Sequence, residues 1–186
     1  MSHAYIFDFD GVLVNTMPAH FAAYRQALAE VNIPIDEPQF YRQAGMTGRE
    51  QLRYFADKAG VAIDVDRVYE RTREIRRAQP LPTEAIACNL ELLRLLRSAG
   101  VPVAIASGSS RASILPMMRE HGIEANAIVT AEDIQRGKPF PDLFLRAAEM
   151  LQVAPANCVV VEDSDVGIEA ARAAGMHALR FHNRPR

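Results

Sequence analysis

The chain has 186 residues, of which 49% are hydrophobic and 24% are charged, and its net charge at pH 7 is −2. This length and composition predict one globular domain, or one domain that carries an insertion. A pI near 6.2 indicates no surface for a polyanion, so we expect no nucleic-acid partner. We also expect no membrane partner, because no apolar run approaches the roughly 20 residues of a span, and the acidic start is unlike a signal peptide.

The two cysteines, Cys88 and Cys158, lie far apart and belong to no CxxC or Cys/His pattern. This spacing favours neither a zinc site nor a disulfide framework. A reducing cytoplasm is therefore the expected compartment, and a monomer is compatible with the composition.

The first predicted element is an apolar strand over residues 4–9 that delivers two carboxylates, Asp8 and Asp10. Residues two apart on a strand point to the same side, so both carboxylates can face one substrate atom. Two anions this close repel each other unless a cation lies between them. Gly11 then permits a sharp turn or a close approach to a ligand. For this motif alone, a strand end closed by an Asx-turn is the alternative interpretation.

Residues 17–79 have helical periodicity, as in Phe21, Tyr24 and Leu28, without a convincing strand pattern. We therefore predict an all-helical insert over 17–79 and a catalytic core formed by 1–16 and 80–186. The insert leaves the core through residues 14–16 and returns through 80–82. Two such neighbouring connections are candidates for a hinge.

After residue 80, short apolar runs alternate with amphipathic segments that end at glycines. This alternation predicts βα units and a parallel sheet. The predicted fold class is α/β, with a Rossmann-like three-layer core, a five-stranded parallel sheet and the inserted helical segment. The strands predicted after the first are 101–106, 127–130, 158–162 and 176–181.

Polar motifs follow these strands at their carboxyl ends, where an open α/β sheet places its ligands. The loop of Ser107, Gly108 and Ser109 offers hydroxyl and backbone N–H groups that suit a phosphate, although a serine N-cap is the alternative. Glu162 and Asp163 end the strand 158–162. A carboxylate after so apolar a strand needs a partner, and a divalent cation shared with Asp8 is one candidate. Acidic residues that favour a helix start are the alternative.

Lys138 precedes a Pro-x-Pro segment and is the remaining polar motif. The chain has 21 basic residues, but lysine occurs only at positions 58 and 138. In so arginine-rich a sequence, this lysine indicates a specific requirement for a compact ammonium group. An exposed loop lysine is the alternative when the motif is taken alone.

In this order, the segments DFDGVLVNT, IASGSS, GKPFPD and VVVEDSDVGIEAARAAGM resemble the motifs of the haloacid dehalogenase superfamily of phosphotransferases. The helical insert is similar to the cap of the subgroup that includes β-phosphoglucomutase and small sugar-phosphate phosphatases. Asn15 departs from the family, which usually has Asp there. Arg111 departs from the mutase, which has a lysine among its distal-phosphate ligands after the second motif, and this weakens a strict mutase assignment.

The resemblance implies a Mg²⁺-dependent phosphatase that acts on small sugar phosphates or related metabolites through an aspartyl-phosphate. In this scheme Asp8 is the nucleophile and Asp10 is the general acid and base. The implied Mg²⁺ ligands are Asp8, the backbone carbonyl of Asp10 and Asp163, supported by Glu162. Ser107 and Lys138 are expected to bind the non-bridging phosphoryl oxygens. The expected substrate-binding residues are Gly11, Thr16, His20, Arg49, Gly108, Ser109 and Arg111.

Two of these residues lie in the insert and keep a second interpretation. Arg49 suits a clamp on a distal anionic group, but it could equally be a solvated arginine at a helix start. His20 suits a role in steering proton transfer at Asp10, but it could equally be a partly buried packing residue.

Four alternative functions remain at this stage. β-Phosphoglucomutase activity would return the phosphoryl group to a sugar. A dehalogenase would attack carbon without a metal, which the second carboxylate of Asp10 disfavours. A phosphonate hydrolase needs an imine-forming lysine in the cap, where only Lys58 is available. A phosphate-binding module without turnover is disfavoured by the intact Asp8, Asp10, Lys138 and Asp163.

Overall fold

The computed structural model describes residues 3–181, which form a parallel sheet with helices on both faces. Five strands make up the sheet, in the order β5-β4-β1-β6-β7, and all four neighbouring pairs are parallel. A separate two-stranded antiparallel ribbon pairs β2 with β3. The strands in the described residues are β1 (Ala4–Phe7), β2 (Val14–Asn15), β3 (Glu84–Ala85), β4 (Val103–Ala106), β5 (Ala127–Val129), β6 (Cys158–Glu162) and β7 (His177–Arg180).

Helices occupy most of the remaining described chain, with short 3₁₀ turns at Ala131–Asp133 and Pro155–Asn157. In the part of the chain that is described, no helix is long and apolar enough to cross a membrane. The helices are α1 (Met17–Ala29), α2 (Glu37–Arg42), α3 (Gly48–Ala59), α4 (Val65–Ala78), α5 (Ala87–Ser98), α6 (Arg111–Glu120), α7 (Asp142–Leu151) and α8 (Asp165–Ala173).

The predicted α/β class and five-stranded parallel sheet are confirmed, although most strands are shorter than predicted. The first strand ends at Phe7 instead of residue 9. The reason is local, because the carbonyl of Phe9 accepts hydrogen bonds from the N–H groups of Leu13 and Val14 and closes a turn. This turn directs the chain after Asp8 across the edge of the sheet.

Two hydrophobic clusters enclose the sheet. Ile6 of β1 packs in the cluster with α7 and α8, and Phe7 packs in the cluster with α5 and α6. This alternation follows the two-residue period of a strand. Every residue of β4 is buried, as expected for a central parallel strand covered on both faces. The core therefore has three layers, helix, sheet and helix.

The helical insert has a hydrophobic cluster of its own. Phe40 lies at its centre, and its ring centroid is 5.3–6.3 Å from those of Phe21, Tyr24, Tyr41 and Phe55. Helix α1 packs against α4, and α3 also packs against α4. The insert thus contributes a preformed helical surface above the carboxyl edge of the sheet.

The ribbon of β2 and β3 was not predicted from the sequence. It joins the outgoing connection of the insert to the returning one, with Val14 paired to Ala85 and Asn15 paired to Glu84. The outgoing connection at 14–16 is therefore paired with residues 84–85, which follow the predicted return at 80–82.

Candidate active site

Asp8 lies directly after β1, and its side chain is buried against the carboxyl edge of the sheet. Its backbone N–H donates to the carbonyl of Val161 on β6, at 3.0 Å, and this bond extends the pairing of the two strands. Gly11 has a φ of +87°, and a Cβ atom at this position would lie 2.5 Å from Oδ2 of Asp163. Glycine is therefore required here both for the turn and for the approach of Asp163.

Lys138 is completely buried between two carboxylates. Its Nζ atom lies 2.6 Å from Oδ1 of Asp8 and 2.5 Å from Oε1 of Glu162. Burial by itself would lower the pKa of Lys138, but Asp8 and Glu162 raise that pKa above its ordinary value. The ammonium group is therefore held in its charged form beside Asp8. The exposed-loop interpretation of Lys138 does not fit these contacts.

Glu162 contacts Lys138 and Ser164, and these contacts supply the partner that its burial requires. Its Oε1 accepts from Lys138, while Oε2 accepts from the backbone N–H of Ser164 at 2.6 Å and from its hydroxyl at 2.9 Å. A Cβ atom at position 167 would lie 1.9 Å from Oε1, so Gly167 gives the carboxylate its space. Both oxygens thus accept from protein donors, and Glu162 fixes Lys138 beside Asp8.

The carboxylate of Asp10 accepts four hydrogen bonds. These come from Thr16 Oγ1 at 2.5 Å, His20 Nε2 at 3.2 Å, Ser107 Oγ at 3.0 Å and Ser109 Oγ at 2.8 Å. Burial would raise the pKa of Asp10, but the bonds from His20, Thr16 and Ser109 hold that pKa well below its usual range. Asp10 is therefore ionised and fixed in position by the core and the first helix of the insert together.

His20 and two serines of the loop after β4 bond to the carboxylate of Asp10. Thr16 occupies the N-cap position of α1, and Ser110 occupies that of α6, yet neither side chain caps its helix. Ser107 and Ser109 donate to Asp10, and the Ser109 N–H donates to Ser107 Oγ at 3.0 Å. Burial and the nearby charge of Arg76 lower the pKa of His20, so its neutral ring donates to Asp10.

Acidic groups outnumber cationic ones around Asp8. Burial raises the pKa of Asp8 well above its ordinary value, despite the opposing charge of Lys138, and Glu162 raises it further. Burial and Glu162 likewise raise the pKa of Asp163 to about 7. These shifts mark an excess of buried negative charge that a divalent cation would relieve.

The donor set fits Mg²⁺. Asp8 and Asp163 provide hard oxygen donors, while no group of three or more acidic, histidine or cysteine side chains converges as a metal cage in residues 3–181. Mg²⁺ in phosphoryl-transfer sites binds one or two carboxylates and completes its shell with water and substrate phosphate. The carboxylates of Asp8 and Asp163 fit this mode of binding.

Two predicted substrate-binding residues lie outside the site. Arg49 Nε bonds to Asp66 Oδ1 at 2.6 Å, and its guanidinium lies 4.4 Å from the centre of the Tyr69 ring. Arg111 bonds to Asp133 Oδ2 at 2.7 Å. Both guanidinium groups pair with protein carboxylates and neither lines the cavity between the insert and the core, so their contact with substrate stays a prediction.

Another arginine, Arg76, takes the place expected for Arg49. It lies in the last turn of α4 and lines a cavity between the insert and the core, and within residues 3–181 no hydrogen-bond or ion-pair partner is found for its guanidinium. Tyr69, Thr72 and Arg73 line the same cavity. Their spacing of three or four residues along a helix places them on one face with Arg76. The spacing is visible in the sequence, but only the packing of α4 shows that this face lines the cavity.

The cavity is enclosed by the core on one side and the insert on the other. Its floor includes Asp8, Asp10, Gly108 and Ser109, and its volume is about 50 Å³. The backbone of Met46, in the insert, covers Gly108 so closely that a Cβ atom there would lie 2.9 Å from the Met46 carbonyl oxygen. This volume corresponds to a few water molecules.

Residues 5–181 match the family model for haloacid dehalogenase-like hydrolases. Because this match covers nearly the whole chain, the protein belongs to the haloacid dehalogenase-like hydrolase family. It is therefore an enzyme of the hydrolase class.

Individual relatives refine this comparison. The chain is 31% identical to the β-phosphoglucomutase of Bacillus subtilis over 95% of its own length and 81% of the relative. It is 30% identical to the phosphorylated carbohydrates phosphatase of Thermotoga maritima over 95% and 83% of the respective chains. Its structure matches the β-phosphoglucomutase of Clostridium difficile with a TM-score of 0.82 and 25% identity, over 97% of this chain and 84% of the other.

Proposed function

We propose that the protein is a Mg²⁺-dependent phosphatase that hydrolyses small sugar phosphates or related phosphorylated metabolites through an aspartyl-phosphate on Asp8. The observation that carries this proposal is that Asp8 and Asp10 line one cavity at the carboxyl edge of the sheet, with Lys138 bonded to Asp8 and Ser107 bonded to Asp10. The family and the named phosphatase relative support phosphatase activity, and the proposal adds the metal, the intermediate and the substrate class.

The first step of the proposed reaction is attack by an Asp8 oxygen on phosphorus. The bond from phosphorus to the ester oxygen breaks, and Asp10 gives a proton to the departing alkoxide. The low pKa of Asp10 describes the protein without substrate. A phosphate ester brings a second anion beside Asp10 and raises its pKa, so substrate binding favours the protonated form that this step requires.

In the second step Asp10 takes a proton from water, and the water oxygen attacks the phosphorus of the aspartyl-phosphate. Phosphate leaves, and the Asp8 carboxylate is restored. Lys138 and Ser107 bind phosphoryl oxygens whose charge shifts during transfer, and Glu162 holds Lys138 in place for both steps. With the insert in place their contacts are already made, so little reorganisation is needed during transfer.

Asp8, Asp163 and the backbone carbonyl of Asp10 are the proposed ligands of Mg²⁺. When bound, the ion would neutralise the negative charge of these groups and of the phosphoryl oxygens. The carboxylates of Asp8 and Asp163, both with raised pKa values, are the groups in the described chain that most need this compensation.

We further propose that residues 17–79 act as a cap that opens for substrate and closes for chemistry. The ribbon of β2 and β3 carries both connections between the cap and the core. His20 and Thr16 reach Asp10 from the cap side of this ribbon, so closure completes the hydrogen bonds of the general acid and base. Arg76 is the proposed contact for the sugar moiety.

The runner-up is β-phosphoglucomutase activity, which the Bacillus subtilis relative favours. The pairing of Arg111 with Asp133 and of Arg49 with Asp66 disfavours it, because a distal phosphate would have to displace a protein carboxylate from each arginine. The phosphonate hydrolase alternative is also disfavoured, since Lys58 lies on an exposed turn of α3 and does not line the cavity.

A phosphate-release screen over a panel of sugar phosphates with Mg²⁺ tests the proposal. We expect release from several small sugar phosphates and from a generic aryl phosphate. Incubation with β-glucose 1-phosphate and a trace of its bisphosphate separates the two candidates, since a phosphatase yields free phosphate and the mutase yields glucose 6-phosphate. No turnover of any ester would favour a phosphate-binding module instead.

A further inference from the structure

Glu50 connects the insert to the loop that carries Lys138. It is the third residue of α3, and its Oε2 accepts from the backbone N–H of Thr47 at 3.0 Å and from the Thr47 hydroxyl at 2.6 Å. This is a capping box, an arrangement that stabilises the start of a helix. One carboxylate oxygen is sufficient for the cap, which leaves the other available.

The second oxygen of Glu50 leaves the insert and contacts the core. Its Oε1 accepts from the backbone N–H of Gly137 at 2.9 Å. Gly137 is buried, and a buried N–H without a partner is costly, so this bond satisfies a group that the core leaves unpaired. The next residue is Lys138, whose ammonium group contacts Asp8 and Glu162.

The surrounding packing shows that this contact is closely fitted. A Cβ atom on Gly137 would lie 2.1 Å from Oε2 of Glu50 and 2.8 Å from Cγ2 of Thr47. A Cβ atom on Gly45, just before α3, would lie 2.7 Å from Ser164 Oγ and 3.2 Å from Cδ of Lys138. The start of α3 therefore rests on the same lysine and serine that organise the carboxylates of the core.

We infer that Glu50 is a positioning residue that makes the closed position of the insert and the placement of Lys138 depend on each other. This inference rests on the proposed function. When the insert closes, Glu50 fixes the backbone at Gly137 and thereby the base of the lysine side chain. When the insert opens, Gly137 N–H turns to water and the lysine loop loses that restraint. Glu50 does not touch the reacting phosphate.

The direct test compares Glu50→Ala and Glu50→Gln with wild type on a generic aryl phosphate. We expect kcat to fall about tenfold or more in both, the range for loss of a hydrogen bond to a charged group. The amide of Glu50→Gln has a single acceptor oxygen, so it can serve the Thr47 side or Gly137 but not both. The aryl substrate has no distal group, so the loss cannot come from substrate recognition.

A matched control separates positioning from helix capping. Asp64 caps α4 in the same insert, with Oδ1 accepting from the N–H of Arg67 at 3.0 Å and no recorded bond to the core among the described residues. Asp64→Ala should lower the melting temperature through loss of the cap while kcat stays close to wild type. If Glu50→Ala lowers the melting temperature and leaves kcat unchanged in the same way, Glu50 is only a cap and the inference is overturned.

A structural readout makes the test independent of activity. Hydrogen–deuterium exchange of a peptide that contains Gly137 should be faster in Glu50→Ala than in wild type and unchanged in Asp64→Ala. Unchanged exchange in Glu50→Ala would contradict the inference even if kcat fell.

A double-mutant cycle with Gly137→Ala tests the coupling itself. In the presence of Glu50 the added methyl group collides with the carboxylate, so we expect a large loss of kcat/KM, whereas in Glu50→Ala the same change should cost much less. Additive losses would show that the two positions act separately. A wild-type protein without turnover would instead refute the proposed function, which the exchange experiment distinguishes from failure of the inference.

Discussion

The cavity has a floor formed by residues of the core and a roof formed by Tyr69, Thr72, Arg73 and Arg76 of the insert. The two sides differ in how many of their polar side chains have partners within the protein. On the floor, Asp10 accepts four hydrogen bonds, and Lys138 next to Asp8 contacts two carboxylates, so each group is held by several contacts with the protein. On the roof, Arg76 has no hydrogen-bond or ion-pair partner within the described residues, although Arg49 on the neighbouring helix is paired with Asp66. The floor is therefore preorganised for chemistry, and the roof keeps one cation available for recognition.

The largest expected effect is the loss of activity when Mg²⁺ is removed from the floor of the cavity. Excess chelator should abolish phosphate release, and added Mg²⁺ should restore it. Asp163→Asn should raise the Mg²⁺ concentration needed for half-maximal activity, because an amide is a poorer ligand for a hard cation.

Asp165→Asn is the matched control for that experiment. Asp165 is a nearby acidic residue, but it is exposed and pairs with Arg180 at 2.5 Å. Its Mg²⁺ titration should match that of wild type. Full turnover in excess chelator would show that the reaction does not require Mg²⁺. An unchanged Mg²⁺ titration for Asp163→Asn would show that Asp163 is not a ligand of the ion.

The second prediction concerns proton transfer on the floor. Asp10→Asn should slow turnover by roughly 10²–10⁴-fold, because the amide cannot exchange a proton with the leaving group or with water. In pre-steady-state measurements, aryl phosphates with better leaving groups should lose less in the first step. Equal first-step losses across leaving groups would show that Asp10 is not the general acid.

The third prediction compares the two arginines of the roof. Arg76→Ala should reduce kcat/KM for a sugar phosphate by on the order of 1.5–3 kcal/mol in transition-state stabilisation, while an aryl phosphate loses little. Arg49→Ala should leave both substrates nearly unaffected, since its salt bridge is exposed and worth about 0–1 kcal/mol of stability. A loss of kcat/KM for the sugar phosphate alone in Arg49→Ala, with Arg76→Ala unaffected, would show that Arg49 and not Arg76 contacts the sugar.

The smallest expected effect is on pH dependence. The pKa of Asp163 is raised to about 7, so below that pH the carboxyl group holds a proton that Mg²⁺ must displace. The half-saturating Mg²⁺ concentration should therefore rise as pH falls from 8 to 6, by up to about tenfold per pH unit below 7. A half-saturating Mg²⁺ concentration that stays constant from pH 8 to 6 would show that protonation of Asp163 does not compete with Mg²⁺.

The floor was largely predictable because its residues adjoin strand ends. Parallel strands deliver their carboxyl ends to one edge, so Asp8, Ser107 and Asp163 are brought together by topology that hydrophobic patterns reveal. The partner of Glu162 was not predictable from pattern alone. A buried carboxylate requires a cation, but the sequence does not tell whether that cation is a metal ion or the ammonium group of Lys138.

The roof was less predictable because its contacts join separate helices. Arg49 on α3 meets Asp66 on α4, and spacing along the chain does not determine which residues of two packed helices face each other. Helix α4 contains five arginines, and only its packing against α1 and α3 distinguishes Arg76 from the others. The ribbon of β2 and β3 was missed for another reason, since two-residue strands leave no periodic pattern.

The central claim is that Asp8 carries the phosphoryl group during turnover, and acid quenching followed by peptide mapping tests it most directly. Enzyme mixed with a substrate labelled in its phosphoryl group should yield a labelled peptide that contains Asp8, with the label lost on treatment with hydroxylamine. Asp8→Asn should yield no label, whereas Asp10→Asn should retain it. Label on another residue, or label that persists in Asp8→Asn, would contradict the proposed mechanism.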